Sequence, residues 1–241
     1  MFRELIEVYD KEAYSLEQCF NVPVEDMSDM TSCTRNVCLY IAGGSSGCVY
    51  RLALITKKFS EWPVHDVVSG ITVTDTHSVL VTCCDVFKLK EFTTHGQLLR
   101  QIELGQDIVD PLHTIQLPSG EFVVCHGDFH SAQRVCLLDS SGIILKSFGG
   151  PRGSDTQHLD SAERLAVDKN GFVFVADCRN CRVVLLSPAL TYVCEVVSHE
   201  QLQCRPISVS LDVDRRRLYV AGNEFKEHDR CTIGRVVEIS L

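Results

Sequence analysis

Short apolar runs of about five residues, separated by polar turns, recur along the whole chain. No stretch keeps the 3.6-residue period of an amphipathic helix. The clearest unit spans residues 162–197. It opens with Leu165-Ala166-Val167, turns at Asp168-Lys169-Asn170-Gly171, and runs on from Phe172 to Ala176. After a loop from Asp177 to Cys181 come the runs Val183–Leu186 and Tyr192–Val197. β-Branched and aromatic residues dominate these runs, and Gly171 suits a turn position with positive φ. The pattern predicts a four-stranded antiparallel meander.

The same unit recurs before and after this one. Thr114–Asp128 with Arg134–Phe148 repeats it, as do Ile71–Asp85 with Lys88–Leu104, and Cys38–Leu52 with Ile55–Val64. Ile207–Asn223 and Arg235–Ile239 close the chain. A further third-type strand, Leu5–Asp10, and fourth-type strand, Tyr14–Phe20, stand at the start. A unit of about 40–50 residues with four strands is the size of a β-propeller blade. Each such sheet is apolar on both faces, so stacking the sheets around an axis buries what one sheet alone would expose. The expected fold is all-β: one six-bladed propeller over 1–241, with units near 1–23 (partial), 24–68, 69–111, 112–162, 163–205 and 206–241. The alternative is five blades, in which the terminal pieces form a composite closing blade. The incomplete first unit suggests the C-terminal part of a longer protein.

Composition narrows the class. Of 241 residues, 45% are hydrophobic and 23% charged, which is globular rather than disordered. A formal charge of −9 disfavours DNA, whose phosphates the long-range field repels. The longest apolar run is far short of a membrane span. The start carries no apolar signal core, and no Asn-x-Ser/Thr acceptor occurs. Thirteen cysteines, an odd number spread along the chain, point to free thiols in a reducing, cytoplasmic setting.

The sequence Leu165–Val184, with Asp168 and Gly171 in the first turn and Ala176-Asp177, Asn180 and Arg182-Val183 after the second run, resembles the NHL repeat. Cys181 stands where that repeat commonly has Asn or Arg, and the other units keep the spacing but lose the Asp or Asn. Phe148–Ser154 is similar to the family's interblade linker. The whole pattern resembles the C-terminal propellers of invertebrate tripartite-motif (TRIM) proteins. That resemblance implies a non-catalytic recognition module, the substrate- or partner-binding part of a ubiquitin-ligase system. No RING finger, B-box or coiled coil is visible in this sequence, so ligase activity is not assigned to it. RNA binding, known in other family members, is the alternative; a metal-dependent propeller hydrolase or lyase is the second.

Candidate residues lie in the loops of one face. Arg152, Arg164, Arg179, Arg182 and Arg205 come from neighbouring units and would form a basic patch, with Phe129 or Phe225 for stacking. Acidic residues, among them Asp128, Asp160 and Glu163, interrupt it. The partner-binding set is Arg164, Arg179, His130, Arg205, Arg152 and Phe129. No cofactor and no metal is expected. The weak metal candidates are His126, Asp128 and His130, which alternate along an extended segment and so share a face. His65, Asp66, Asp110, His113, Glu163 and Arg164 fall where an enzymatic propeller would line its funnel, without a repeated acid. Cys178-Arg179-Asn180-Cys181 is the one C-x-x-C and lacks a second pair at zinc spacing.

Overall fold

Strands that are apolar on both faces need cover on both, and the computed structural model shows what covers them. It describes residues 5–10, 12–24, 26–128, 130–224 and 234–241. Four four-stranded antiparallel meanders follow one another. The first is β3 (Met27–Cys33), β4 (Cys38–Gly43), β5 (Cys48–Ala53) and β6 (Lys58–Pro63). The second is β7 (Val68–Val73), β8 (Val79–Cys83), β9 (Lys88–Phe92) and β10 (Leu98–Glu103). The third is β11 (Pro111–Gln116), β12 (Phe122–His126), β13 (Gln133–Leu138) and β14 (Ile144–Gly150). The fourth is β15 (Ala162–Val167), β16 (Val173–Asp177), β17 (Arg182–Leu186) and β18 (Tyr192–Val197). A fifth, three-stranded sheet holds β19 (Cys204–Asp212), β20 (Arg217–Glu224) and β21 (Gly234–Ser240). A single helical turn, α1 (His199–Leu202), leads into it.

The first strands β3, β7, β11, β15 and β19 stand side by side in that order, which makes the array a propeller of five blades. Apolar layers fill the spaces between blades. One, with Val81, Tyr40, Trp62 and Phe92, joins the first two blades; another, with Val123, Val175, Phe148 and Leu186, joins the third and fourth. The middle strands β8, β12 and β16 are buried along their whole length, as their mainly apolar runs require, and each carries one polar residue inside with it: Thr82, His126 or Asp177. The fourth strands lie outermost, and each buries chiefly one large residue near its end: Trp62, Ile102 or Phe148 in the first three blades. Trp62 meets Tyr40 edge-on at 5.9 Å and Phe92 at 6.4 Å, a packing role across two blades. Gly171 takes the expected left-handed turn conformation at φ +83°. Gly70 answers to a different need. A Cβ there would lie 2.6 Å from the Leu112 carbonyl oxygen, so β7 and β11 approach too closely for a side chain.

Six blades, the main expectation, is therefore corrected to five, the alternative. Among the described residues, the N-terminal copy consists of its third and fourth strands. It folds as a two-stranded hairpin, β1 (Leu5–Tyr9) with β2 (Leu16–Asn21), too narrow to make a blade. Ile6 and Phe20 pack it on Ile41, Tyr50 and Leu52 of the first blade. Its turn meets the fifth blade, where the Tyr14 hydroxyl donates to Glu238 and Arg215 pairs with Glu12 at 3.4 Å. The two ends of the chain thus meet at the seam, with the hairpin remaining a sheet of its own. Among the described residues, no helix is long and apolar enough to cross a membrane.

Candidate functional site

The inner strands carry their polar residues toward the axis, and Arg164 crosses it. From β15, its guanidinium donates to the carbonyl oxygens of Ser28 on β3 and of Ser69 on β7, the latter at 3.1 Å. It also donates to its neighbour's carbonyl at Glu163, at 2.9 Å. Its Nε lies 3.3 Å from the carboxylate of Asp29, which accepts the Ile71 backbone N–H at 2.9 Å. His113 of β11 approaches the same carboxylate at 3.6 Å. Burial pushes the His113 pKa down to about 4, against the pull of Asp29 and with the push of Arg164. The imidazole is therefore neutral at physiological pH. Three blades are tied together through this one cluster, and the third blade's His113 packs beside it.

A second feature opens on the loop face between the third and fourth blades. It is a cleft of about 190 Å³ lined by Asp110, Leu112, Gly127, Asp128, Gln133, Arg152, Asp160, Ser161, Glu163 and Arg179. Arg152 pairs with Asp160 at 2.6 Å. Asp128 accepts the backbone N–H groups of His130 and Ser131, which hold its carboxyl below the ordinary range. Asp110 moves the other way: burial raises its pKa, and the charges of Asp128 and Glu163 add to that. Ser161 donates to Glu163 at 2.7 Å.

The wall of this cleft is fixed from within. Asp177, at the end of β16, accepts Arg182 Nε and Asn180 Nδ2, each at 2.8 Å, and the backbone N–H of Asp160 at 2.7 Å. Arg182 also reaches the carbonyls of Ser154, Asp155 and His158, and Asn180 that of Gly153. The Asp, Asn and Arg of the repeat signature are thus a buried clamp on the interblade loop 151–161. A charged group buried this deeply persists only when paired and hydrogen-bonded, and here both conditions hold. Residues 159–184 match the NHL repeat. The chain carries an NHL repeat. Asp177, Asn180 and Arg182, the clamp residues, all fall within the match. No curated protein matches the chain. Among solved structures it is similar to hydrazine synthase of Kuenenia stuttgartiensis, with a TM-score of 0.70 and 14% identity over 98% of this chain and 89% of that one. It is also similar to streptogramin B lyase, with a TM-score of 0.63 and 12% identity over 99% and 73% of the two chains. The virginiamycin B lyase of Staphylococcus aureus gives a TM-score of 0.62 and 12% identity over 100% and 75%. At such identities the likeness is one of fold.

The residues singled out from sequence separate into distinct places. Arg152, Arg179 and Asp128 line the cleft, together with Asp110 and Glu163. Arg164 and His113 lie on the axis instead. Arg205, on β19, is exposed and sits close enough to Cys178 and Cys181 to act on their thiols. His130 is exposed beside the Asp128 turn. Phe129 lies outside the described residues, as does Phe225. His126 is buried, with its ring between the Val109 N–H and the thiol of Cys136, each at 3.4 Å. Its side chain and the Asp128 carboxylate therefore serve different neighbours, and the alternation along the strand does not bring them together. Among the described residues, no group of three or more His, Cys, Asp or Glu could hold a metal ion. Asp66 forms an ion pair with Lys90. Cys178 and Cys181 are buried free thiols, and burial pushes Cys178 up to about 12. Sequence reasoning missed Asp29, one acid in an acidic stretch that no motif distinguishes.

Proposed function

We propose that the chain is a non-catalytic recognition propeller whose loop face, centred on the cleft between the third and fourth blades, binds a protein partner. The observation that carries this reading is the Asp177–Asn180–Arg182 clamp. It fixes a surface loop from a buried ion pair, and a loop held this way loses little conformational entropy when a partner docks. The axis supports the same reading, because Asp29 and Arg164 are engaged with each other and with backbone groups of the first and second blades. The finer role, choosing the substrate of a TRIM-like ubiquitin ligase in the cytoplasm, rests on the resemblance of the repeat and on the cysteine-rich composition.

The test is affinity capture with the purified propeller and with the double variant Arg179→Ala/Asp110→Asn, read by mass spectrometry. Partners retained by the native surface and lost from an equally stable variant support the proposal. Identical capture by both forms overturns it. Salt-sensitive retention of RNA in filter binding, without a captured protein, would replace it with the RNA reading.

A further inference from the structure

The loop-face cleft has a charge imbalance that its own residues do not resolve. Four carboxylates line it, from Asp110, Asp128, Asp160 and Glu163, against two guanidiniums, Arg152 and Arg179. One guanidinium is engaged with Asp160. The Asp110 carboxylate accepts no hydrogen bond among the described residues, and burial, with the charges of Asp128 and Glu163 added to it, raises its pKa. A second observation is independent of the acids. Gln133, on the cleft wall, is only 3% exposed. Its Nε2 donates to the Asp128 carbonyl, which fixes the amide with Oε1 as the remaining acceptor. That Oε1 has no hydrogen-bond partner. An unmet acceptor this deeply placed is costly unless a donor reaches it.

We infer that the cleft receives one basic side chain, arginine or lysine, from the bound protein partner. The inference rests on the recognition reading and names the chemistry of its central contact. A cation bearing several N–H donors answers all three needs: it neutralises the excess carboxylate, gives Asp110 and Glu163 charge-assisted bonds, and supplies a donor toward Gln133. A volume of about 190 Å³ lies below the ~300–1,000 Å³ of drug-sized pockets and suits a single side chain. Arg152 and the exposed Arg179 border the same cleft. They would repel a second cation, so one basic residue rather than a basic run is selected.

The probes are N-acetyl-arginine methylamide, its lysine counterpart and the neutral citrulline counterpart, titrated into the labelled propeller and followed by amide shifts in NMR. The expected result is saturable shifts at Gly127, Asp128, Ser161 and Glu163 with the two cations and none with citrulline. Asp110→Asn and Glu163→Gln should each weaken the cations about fivefold, the worth of a partly screened ion pair, and added salt should weaken them further. Citrulline binding as well as arginine, shifts confined to other surfaces, or no shifts overturns the inference. If the probes fail while protein capture still depends on Arg179 and Asp110, only this inference falls. If the probes bind as expected and capture is identical for both forms, the recognition reading falls and the cation site stands.

Discussion

Replacing Arg164 by alanine removes a guanidinium that links β15 to β3 and β7 through two carbonyls and the Asp29 carboxylate. The cost is worked from what is left behind. Asp29 keeps the Ile71 N–H, but its side chain is only 10% exposed, and the neighbouring His113 is neutral. Breaking one half of a buried ion pair costs about 3–5 kcal/mol. The carbonyls add less, because the cavity of about 430 Å³ lined by Ser28, Asp29, Glu163 and Arg164 has room for water beside those of Ser28 and Glu163. For a domain of this length the thermal midpoint should fall by roughly 6–20 °C. Calorimetry on Arg164→Ala, Asp29→Asn and the double variant measures both the loss and its origin. Asparagine keeps the acceptor for Ile71 and deletes the stranded charge, so the double variant should be hardly worse than Arg164→Ala alone. A fall under about 2 °C for Arg164→Ala, or costs that simply add in the double variant, would refute the axial-bridge argument.

Three other outcomes follow from the same structure. Arg182→Lys should keep the charge but lose the geometry that sends Nε–H to Asp177 and the two terminal nitrogens to the carbonyls of Ser154, Asp155 and His158, so amide exchange across 154–160 should quicken by about tenfold while β12 and β16 hold their protection. His113 and His126 are both held near pKa 4 by burial, so the unfolded chain binds more protons than the folded one between about pH 6.5 and 4. Stability should be full above that window and fall through it, by about 2 kcal/mol per histidine at pH 5, and His113→Asn should flatten the decline measured by thermal melts. Brief alkylation of the native protein, mapped by peptide mass spectrometry, should label the exposed Cys19 and Cys194 well before Cys83, Cys125 and Cys136, whose thiols burial pushes to about 12, 12 and 11.

Why some of this was legible in the sequence and some was not has a physical basis. A propeller strand is specified locally: five residues with apolar side chains on both faces, then a turn, read the same wherever they occur. That is why Leu165–Val167, Phe172–Ala176 and Val183–Leu186 anticipate β15, β16 and β17 to within three residues at each end. Blade number depends instead on whether a copy is wide enough to reach from axis to rim, and Leu5–Asp10 looks like a third strand whether or not a first strand exists to carry it inward. Function-bearing geometry is the least local of all. Arg164 reads as one more loop-face arginine until Ser28 and Asp29 are known to lie across the axis, 136 residues away along the chain for Ser28. The repeat signature is the instructive intermediate. Asp177, Asn180 and Arg182 sit within six positions of one another, so sequence displays them together. Their targets, the carbonyls of Gly153, Ser154, Asp155 and His158, are groups every residue possesses and no sequence marks. A motif of this kind discloses that something is being held. What is held, and hence which loop is made rigid, follows only from where the chain returns.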